Sequence, residues 1–423
     1  MAIALDKNSL DIKRYSQDCI ESMRRFLRTH QSLKLLTLGS LTGWMAWGSR
    51  DAIVALAWIV ILPMAWGIAE SRISAAALMA GYYLSAARGL IEGTKVFFGE
   101  EVGYGLGVAF WLSACLILTA PFFFLWSKDL GKKPWLFILG VIVSIVPPFA
   151  IVGWVNPLSV AGVFFPGLGW MGLILTSGLF FFLTMARWRW VALLSMMALV
   201  CNSMSMVRWS QEPPTWRGVD TMFPALSSGG NGDAGRILAS MERVQWIKQF
   251  AKNVPSGHVW VLPETVAGVV DAMSKHELQQ TEADLKLRKA RLLVGAELPQ
   301  DDGQYKNVII VLGADKDDDR TIVQNIPVPF SMWKPWTDDG AIGSMFGRGN
   351  LASVMGFRVS GVVCYEQLLM YSWLWTMWDK PDVLAAVSNV WWARDTSIPA
   401  IQLQMTHAMS RLFGVGVIIA KNG

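Results

Sequence analysis

One cysteine and one glutamate stand at the ends of two short apolar runs, and they are residue types that acyl chemistry needs. Gly361-Val362-Val363 leads into Cys364, and Val259-Trp260-Val261-Leu262-Pro263 leads into Glu264. Runs rich in β-branched residues predict buried strands. A thiol at one strand end and a carboxylate at another supply a nucleophile and a candidate base for a thioester mechanism. A cysteine after two valines is also common as a buried apolar side chain, so the spacing alone leaves both interpretations open.

The elements that position this pair follow from where the apolar residues fall. Of 423 residues, 53% are hydrophobic and 22 are tryptophan, which is unlike an ordinary soluble protein. The apolar excess lies between Leu33 and Val207, and charged residues return at ordinary density from Trp209 onward. The sequence therefore predicts a multi-span α-helical membrane domain at 33–207 with about seven helices, followed by a separate domain.

The predicted spans are apolar runs of about 17 residues or more, which is long enough to cross a bilayer. They are residues 33–49, 52–69, 73–91, 104–126, 135–153, 160–185 and 190–207. The stretch from Pro147 to Gly172 holds several prolines, which favours a re-entrant or surface loop as an alternative for part of it.

The charges of the loops predict the orientation in the membrane. Residues 1–32 are polar and basic and are expected to form a cytoplasmic tail, and further basic residues cluster in alternate loops, at Arg72, Lys128, Lys132, Lys133, Arg187 and Arg189. By the positive-inside rule these loops face the cytoplasm of a bacterial inner membrane, and an odd number of spans places the C-terminal domain in the periplasm. The net charge of +5 is assigned to these loops. No basic stripe alternates with aromatic residues, so no direct contact with nucleic acid is expected.

The second half is predicted to form a linker and an α/β domain. Residues 208–233 are predicted to hold the linker and a first strand at Trp216 to Asp220, and residues 234–423 alternate between strand-like and helix-like segments. The predicted strands are His258 to Leu262, Arg291 to Leu298, Tyr305 to Leu312, Val359 to Val363, Val383 to Val387 and Val415 to Ala420. The predicted helices are Arg236 to Lys252, Asp271 to Lys289, Glu366 to Trp375 and Ile398 to Phe413. Such alternation is typical of a layered α/β domain with buried strands.

Cysteine usage agrees with this organisation. Cys19 falls in the tail, Cys115 and Cys201 fall in predicted spans, and Cys364 is the one cysteine of the exported domain. No disulfide is therefore predicted in that domain, and its single thiol is either buried or used. No phosphate-binding loop, Cys-x-x-Cys pair or histidine cluster is present, so neither a cofactor nor a metal is expected.

The order of motifs in the second half resembles the carbon-nitrogen hydrolase (nitrilase-like) domain of apolipoprotein N-acyltransferase. The matching segments are Val261 to Thr265, Tyr305 to Leu312, Val328 to Phe330, Val363 to Glu366, Ser388 to Trp392, Gln402 to Met405 and Lys421 to Gly423. The resemblance implies a nitrilase-like α-β-β-α sandwich behind a multi-span membrane domain. Two further segments, Gly153 to Pro157 and Phe164 to Trp170, are similar to a plasmid-borne branch of the family that serves conjugal transfer. That branch implies an inner-membrane protein with conjugation-apparatus proteins as partners.

The resemblance also implies roles for single residues. Glu264 matches the family's base, Cys364 its nucleophile, and Glu366 a further carboxylate beside the nucleophile. The matching segment with Asn389, Trp391 and Trp392 implies a substrate-binding wall. The implied substrate is an acyl group from a membrane lipid or lipoprotein.

Three departures from the family leave two functions open. Gln324 stands where the family has its oxyanion-stabilising lysine, Met332 stands in place of a carboxylate, and the chain ends where the relatives continue, so the sandwich is expected to be C-terminally shortened. One interpretation is an acyltransferase or amidase that acts through a Cys364 thioester. The alternative is a catalytically impaired domain that binds a lipid, a lipoprotein or a subunit of the transfer apparatus.

Overall fold

The computed structural model describes residues 30–48, 53–208, 212–226, 232–334 and 336–423, with the side chains of 205–208 and 232–234 left out. Most of the predicted tail at 1–32 and part of the predicted linker at 208–233 lie outside these residues.

The first half of the described chain is helical. A 3-10 helix, Ile53–Val60, leads into the second of its helices. The helices are α1 (30–46), α2 (Ile61–Ile68), α3 (Arg72–Ala86), α4 (Gly89–Phe98), α5 (Glu100–Leu125), α6 (Lys133–Val143), α7 (Ala161–Phe164), α8 (Gly169–Thr184) and α9 (Trp188–Arg208). Glycine lets two of them approach closely, because a Cβ on Gly39 of α1 would lie 1.9 Å from the carbonyl oxygen of Leu78 in α3.

Few of these helices are long enough to cross a bilayer. Within the described residues, α5 alone passes by length and composition, and the segments Pro157–Phe164 and Gly169–Thr184, bent by 113°, make a second span only if they are counted together. The prediction of about seven spanning helices is therefore not confirmed. The predicted span 135–153 was wrong as a single helix, because α6 ends at Val143 ahead of two prolines that cannot donate helix hydrogen bonds. The predicted span 73–91 is divided between α3 and α4.

The second half forms two β-sheets. The first sheet has the order β1-β2-β3-β4-β5, with β6 beside β4, and the second has the order β10-β9-β8-β7. The strands are β1 (Trp216–Gly218), β2 (Val259–Val261), β3 (Arg291–Pro299), β4 (Gln304–Leu312), β5 (Thr321–Val323), β6 (Gly340–Ala341), β7 (Leu351–Val354), β8 (Phe357–Val363), β9 (Val383–Asn389) and β10 (Gly416–Asn422). Strands β1 to β3 are mutually parallel, as are β8 to β10.

The two sheets pack face to face with helices on both outer sides. The core between them joins Val261 and Ile309 of the first sheet to Val363 and Val387 of the second. Helices α10 (Gly232–Ala251) and α11 (Ala272–Leu287) cover the outside of the first sheet. Helices α12 (Met370–Trp378) and α13 (Ile398–Phe413), together with helices of the first half, cover the second. The predicted α-β-β-α sandwich is confirmed, and its second sheet shares one hydrophobic core with the helical half.

One predicted helix of the sandwich was wrong in its extent. The segment Glu366 to Trp375 is divided into a 3-10 helix, Cys364–Leu368, and α12. The break falls at Leu369, whose extended backbone forms a β-bridge with Trp154 of the helical half. A contact between distant parts of the chain thus overrides the local helical pattern.

Candidate active site

The ends of three strands bring the predicted site residues together. Cys364 follows β8 directly, Glu264 lies three residues beyond the end of β2, and Asn389 is the last residue of β9. Because β8 and β9 are parallel, their carboxyl ends share one edge of the second sheet. The segment after β2 of the facing sheet meets this edge, since the Glu264 carboxylate accepts a hydrogen bond from the backbone N–H of Asn389 at 2.9 Å. The carboxyl ends of strands are where α/β sheets commonly place ligands.

The nucleophile candidate sits on a strained turn. Cys364 has a φ of 47°, in the left-handed region that non-glycine residues rarely adopt, and only 5% of it is exposed. Gln402 of α13 donates a hydrogen bond to the Cys364 carbonyl at 3.1 Å, and its Nε2 lies 4.0 Å from the sulfur. Strain of this kind persists where the surroundings fix it, as they do at active sites.

Glu264 is buried beside the thiol, and each of its oxygens accepts a hydrogen bond from another residue. Its Oε1 accepts from Nδ2 of Asn307 at 2.8 Å, and its Oε2 accepts from the Asn389 N–H at 2.9 Å. Burial raises the pKa of Glu264 to about 7, and the neighbouring Cys364 thiol opposes this rise. Burial and the Glu264 charge raise the pKa of Cys364 well above its usual value. The pair therefore rests as a neutral thiol against a carboxyl group that is ready to take its proton.

Gln324, which the sequence resemblance sets against the lysine of the N-acyltransferase, makes its side-chain hydrogen bonds within the protein. Its Oε1 accepts from Nδ2 of Asn307 at 2.8 Å, and its Nε2 donates to the Val363 carbonyl at 3.0 Å. It is 1% exposed and is not among the described residues that line the cavities at Cys364. Asn307 was not predicted as a site residue, although it begins the fully buried part of β4, where a polar side chain needs a hydrogen-bond partner.

Glu366 lies behind the nucleophile. Its Oε1 accepts from the backbone N–H groups of Asn325 and Ile326 at 2.9 and 3.0 Å, and its Oε2 accepts from that of Val363 at 2.8 Å. Burial raises the pKa of Glu366 to about 7. This carboxylate ties the end of β8 to the segment after β5, so it supports the site without facing the cavity.

A largely apolar cavity of about 570 Å³ opens at Cys364 and Glu264. The predicted binding residues Asn389, Trp391 and Trp392 line it, as do side chains of α4 and α5. Phe97 of α4 stacks on Trp391 with ring centroids 6.1 Å apart. A second cavity of about 90 Å³ also reaches Cys364. The described residues that line either cavity include no lysine.

Two further residues beside Glu264 were not predicted from the sequence. A Cβ on Gly295 of β3 would lie 2.2 Å from the Pro263 carbonyl oxygen and 2.5 Å from the Glu264 Cα, so only glycine lets the Glu264 segment cross β3 at this distance. Thr265 has a φ of 51°, unusual for a β-branched residue, and its Oγ1 accepts a hydrogen bond from Asn389 Nδ2 at 2.8 Å. In the described part of the chain no group of three or more His, Cys, Asp or Glu residues could hold a metal ion.

The solved structures that the chain resembles are distant from it in sequence. No protein-family model matches the chain. An amidase from Nesterenkonia sp., solved with the acetamide moiety of fluoroacetamide added covalently at its active-site cysteine, aligns with 50% of this chain and 78% of its own at 13% identity and a TM-score of 0.34. A second structure of an amidase from Nesterenkonia sp. aligns at 13% identity and a TM-score of 0.32, over 51% of this chain and 77% of its own. These scores are too low to bear on function.

Two relatives by sequence cover nearly the whole chain. The probable conjugal transfer protein TraB of Sinorhizobium fredii is 32% identical over an alignment of 410 residues that covers 93% of this chain and 99% of that relative. The conjugal transfer protein TraB of Agrobacterium fabrum is 30% identical over an alignment of 421 residues that covers 94% of each chain. The motif order, the sandwich and this full-length similarity agree, and the chain belongs to the TraB family of conjugal transfer proteins.

Proposed function

We propose that this protein is an inner-membrane component of plasmid conjugal transfer that accepts an acyl group from a membrane lipid or lipoprotein on Cys364. The observation that carries the proposal is that Cys364 and Glu264 lie beside each other in the wall of a large apolar cavity. Apolar cavities with a few converging polar groups of perturbed pKa are the usual form of a substrate site. The conjugal role is supported by the names of the relatives.

The geometry supports a thioester mechanism with Glu264 as the base. The thiol proton passes to the Glu264 carboxylate as sulfur attacks the acyl carbonyl carbon, forming the C–S bond. When the tetrahedral intermediate collapses, the bond from carbon to the leaving oxygen or nitrogen breaks, and Glu264 returns the proton to that atom. Water or an amine then releases the acyl group and restores the thiol. The apolar wall that Phe97 and Trp391 build suits an acyl chain.

Placement in the membrane is part of the proposal. Its support is α5, which is long and apolar enough to cross a bilayer, and the basic loops that predict a cytoplasmic N-terminus and a periplasmic sandwich. The cavity is lined on one side by α5 residues, among them Phe110 and Ile117. An acyl chain in the bilayer therefore has an apolar route to the thiol. Reporter fusions before α1 and after β10 test this orientation, which is rejected if both ends report the same compartment.

Intact-mass analysis of detergent-extracted protein tests the acylation. Wild-type protein incubated with phospholipid vesicles is expected to gain an acyl-sized mass that hydroxylamine removes, and the Cys364→Ala variant is expected to gain none. A plasmid that carries Cys364→Ala is expected to lose transfer. Unmodified wild-type protein together with full transfer by Cys364→Ala contradicts the proposal.

The environment of Gln324 favours a second candidate function, the binding of an acyl chain without turnover. The Gln324 amide is neutral, whereas the N-acyltransferase that the sequence resembles has a lysine there, and both polar atoms of Gln324 are engaged away from the thiol. Loss of one oxyanion donor slows acyl transfer by about 10²- to 10³-fold. Under this candidate, wild-type protein and Cys364→Ala retain the same noncovalently bound lipid after extraction.

A further inference from the structure

A chain of buried amides connects the backbone just before the nucleophile to the base. The Val363 carbonyl accepts from Nε2 of Gln324 at 3.0 Å, and Oε1 of Gln324 accepts from Nδ2 of Asn307 at 2.8 Å. The same Nδ2 donates its other hydrogen to Oε1 of Glu264 at 2.8 Å. Gln324 and Asn307 are each 1% exposed, so water does not compete for these bonds.

The direction of each hydrogen bond follows from the first. A backbone carbonyl only accepts, so Gln324 must turn its NH2 group toward Val363 and its oxygen toward Asn307. That oxygen requires the NH2 group of Asn307, whose second hydrogen then points at Glu264. The backbone N–H of Asn389 only donates, and it holds the other carboxylate oxygen. Both oxygens of Glu264 are thus compelled to accept.

The orientation of Asn307 has a visible cost. Its Oδ1 is buried and has no hydrogen-bond partner among the described residues. Native proteins leave few such atoms unpaired, because a buried acceptor has lost its bonds to water. Turning the amide over would set this oxygen against the oxygens of Glu264 and Gln324, which is worse. The unpaired atom is therefore explained by the direction of the chain.

We propose that Asn307 and Gln324 are positioning residues that fix Glu264 as an acceptor on both oxygens, so that the proton it takes comes from the thiol of Cys364. This inference rests on the proposed role of Cys364 and gives Gln324 a function other than that of the family lysine. Gln324 sets the orientation of the Asn307 amide, and Asn307 in turn presents a donor to Glu264. Neither residue touches the substrate. The hydrogen bonds that fix the direction of Glu264 thus come from neutral groups.

Other ionisable groups also face Glu264 and set its response to an added charge. They are Cys364 at the end of β8, Glu366 behind it, Glu297 of β3 and Tyr305 of β4. Arg236 of α10 balances one of them by donating to Glu297 at 2.6 Å. Among the described residues, the side chain at position 307 has Glu264 and Gln324 as its hydrogen-bond partners, and neither is a cation. A new carboxylate there is therefore expected to raise the pKa of Glu264.

The pH dependence of Cys364 alkylation by iodoacetamide tests the inference without an acyl donor. Peptide mapping restricts the measurement to Cys364. The wild-type rate is expected to rise through about pH 7, following the pKa of Glu264. The Asn307→Asp variant has the same shape but presents an acceptor where asparagine presents its NH2 group. Its midpoint is expected to rise by about one pH unit or more, so that alkylation at pH 7 falls about five-fold or more. Asn307→Leu, which adds no charge, is expected to lie between the two. A midpoint unchanged from wild type in Asn307→Asp, or in Asn307→Leu if the first does not fold, overturns the inference.

A double-variant cycle in thermal unfolding provides a second readout. Asn307→Asp sets two acceptors against each other, and Glu264→Gln sets two donors against each other. Together they form a matched pair again, so the double variant is expected to unfold at a higher temperature than the sum of the two single losses predicts. Simple additivity contradicts the polarity chain. Neither of these measurements requires acylation, so they test the inference separately from the proposed function. If wild-type protein gains no acyl adduct, the proposed function is contradicted and the inference is not.

Discussion

Replacing Glu264 by glutamine removes the base while it keeps the shape of the side chain. The carboxylate accepts hydrogen bonds from Asn307 Nδ2 and from the Asn389 N–H, and it lies beside the Cys364 thiol. Glutamine has one oxygen, so an NH2 group must face either Asn307 or Asn389. Loss of a positioned general base costs about 10²- to 10⁴-fold in rate, and one buried unpaired donor costs about 1–3 kcal/mol in the free energy of unfolding.

The assay is the rate of mass gain on Cys364 with an activated acyl ester, measured beside urea unfolding. Asp318→Asn is the matched control, because Asp318 is a buried carboxylate that pairs with Arg291 at 2.6 Å and lines neither cavity. It is expected to lose comparable or greater stability and to acylate at the wild-type rate. Glu264→Gln that acylates as fast as Asp318→Asn would falsify the assignment of Glu264 as the base.

Three further outcomes follow from the same geometry. The rate of Cys364 acylation is expected to rise with pH through about 7, since Glu264 acts as a base only when it is deprotonated and its pKa lies there; a rate that stays flat from pH 5 to 8 contradicts this. Gly295→Ala pushes a methyl group into the Glu264 backbone. The rate of acylation is expected to fall about ten-fold or more, and the free energy of unfolding is expected to fall by about 1–3 kcal/mol. If neither changes, the contact between Gly295 and the Glu264 segment does not position the base. Glu366→Gln leaves the Val363 N–H facing an NH2 group, so urea unfolding is expected to show a loss of about 1–3 kcal/mol, and an unchanged midpoint speaks against that support role.

Local sequence patterns were sufficient to predict the strands that position the site. Val259 to Val261 and Val383 to Val387 are dense in β-branched and apolar residues because both of their faces are buried, and that density needs no knowledge of the fold. The pairing of Cys364 with Glu264 was predicted from their places at strand ends together with the family resemblance. Once the sheets face each other, the two side chains meet.

The parts that could not be predicted depend on contacts between distant segments. Asn307 is surrounded in sequence by strand residues, and nothing local shows that its amide lies between Glu264 and Gln324. The break at Leu369 likewise depends on Trp154 of the helical half. Apolar runs in the first half predicted long spans, but composition does not locate the turns at which the chain divides them into shorter helices.

The lack of a free cation among the described residues around the thiol has consequences for what the protein does. The described lining of the cavity holds no lysine, and its arginine, Arg236, is paired with Glu297 at 2.6 Å. Because burial and Glu264 also raise the pKa of Cys364, the sulfur remains a thiol until an acyl group is in place. Idle thiolate, which is prone to oxidation in the periplasm proposed here, does not accumulate. The same protection slows attack, because proton transfer must accompany formation of the C–S bond. A slow, protected thiol beside a lipid-sized cavity suits a protein that captures one acyl group and holds it better than an enzyme with rapid turnover.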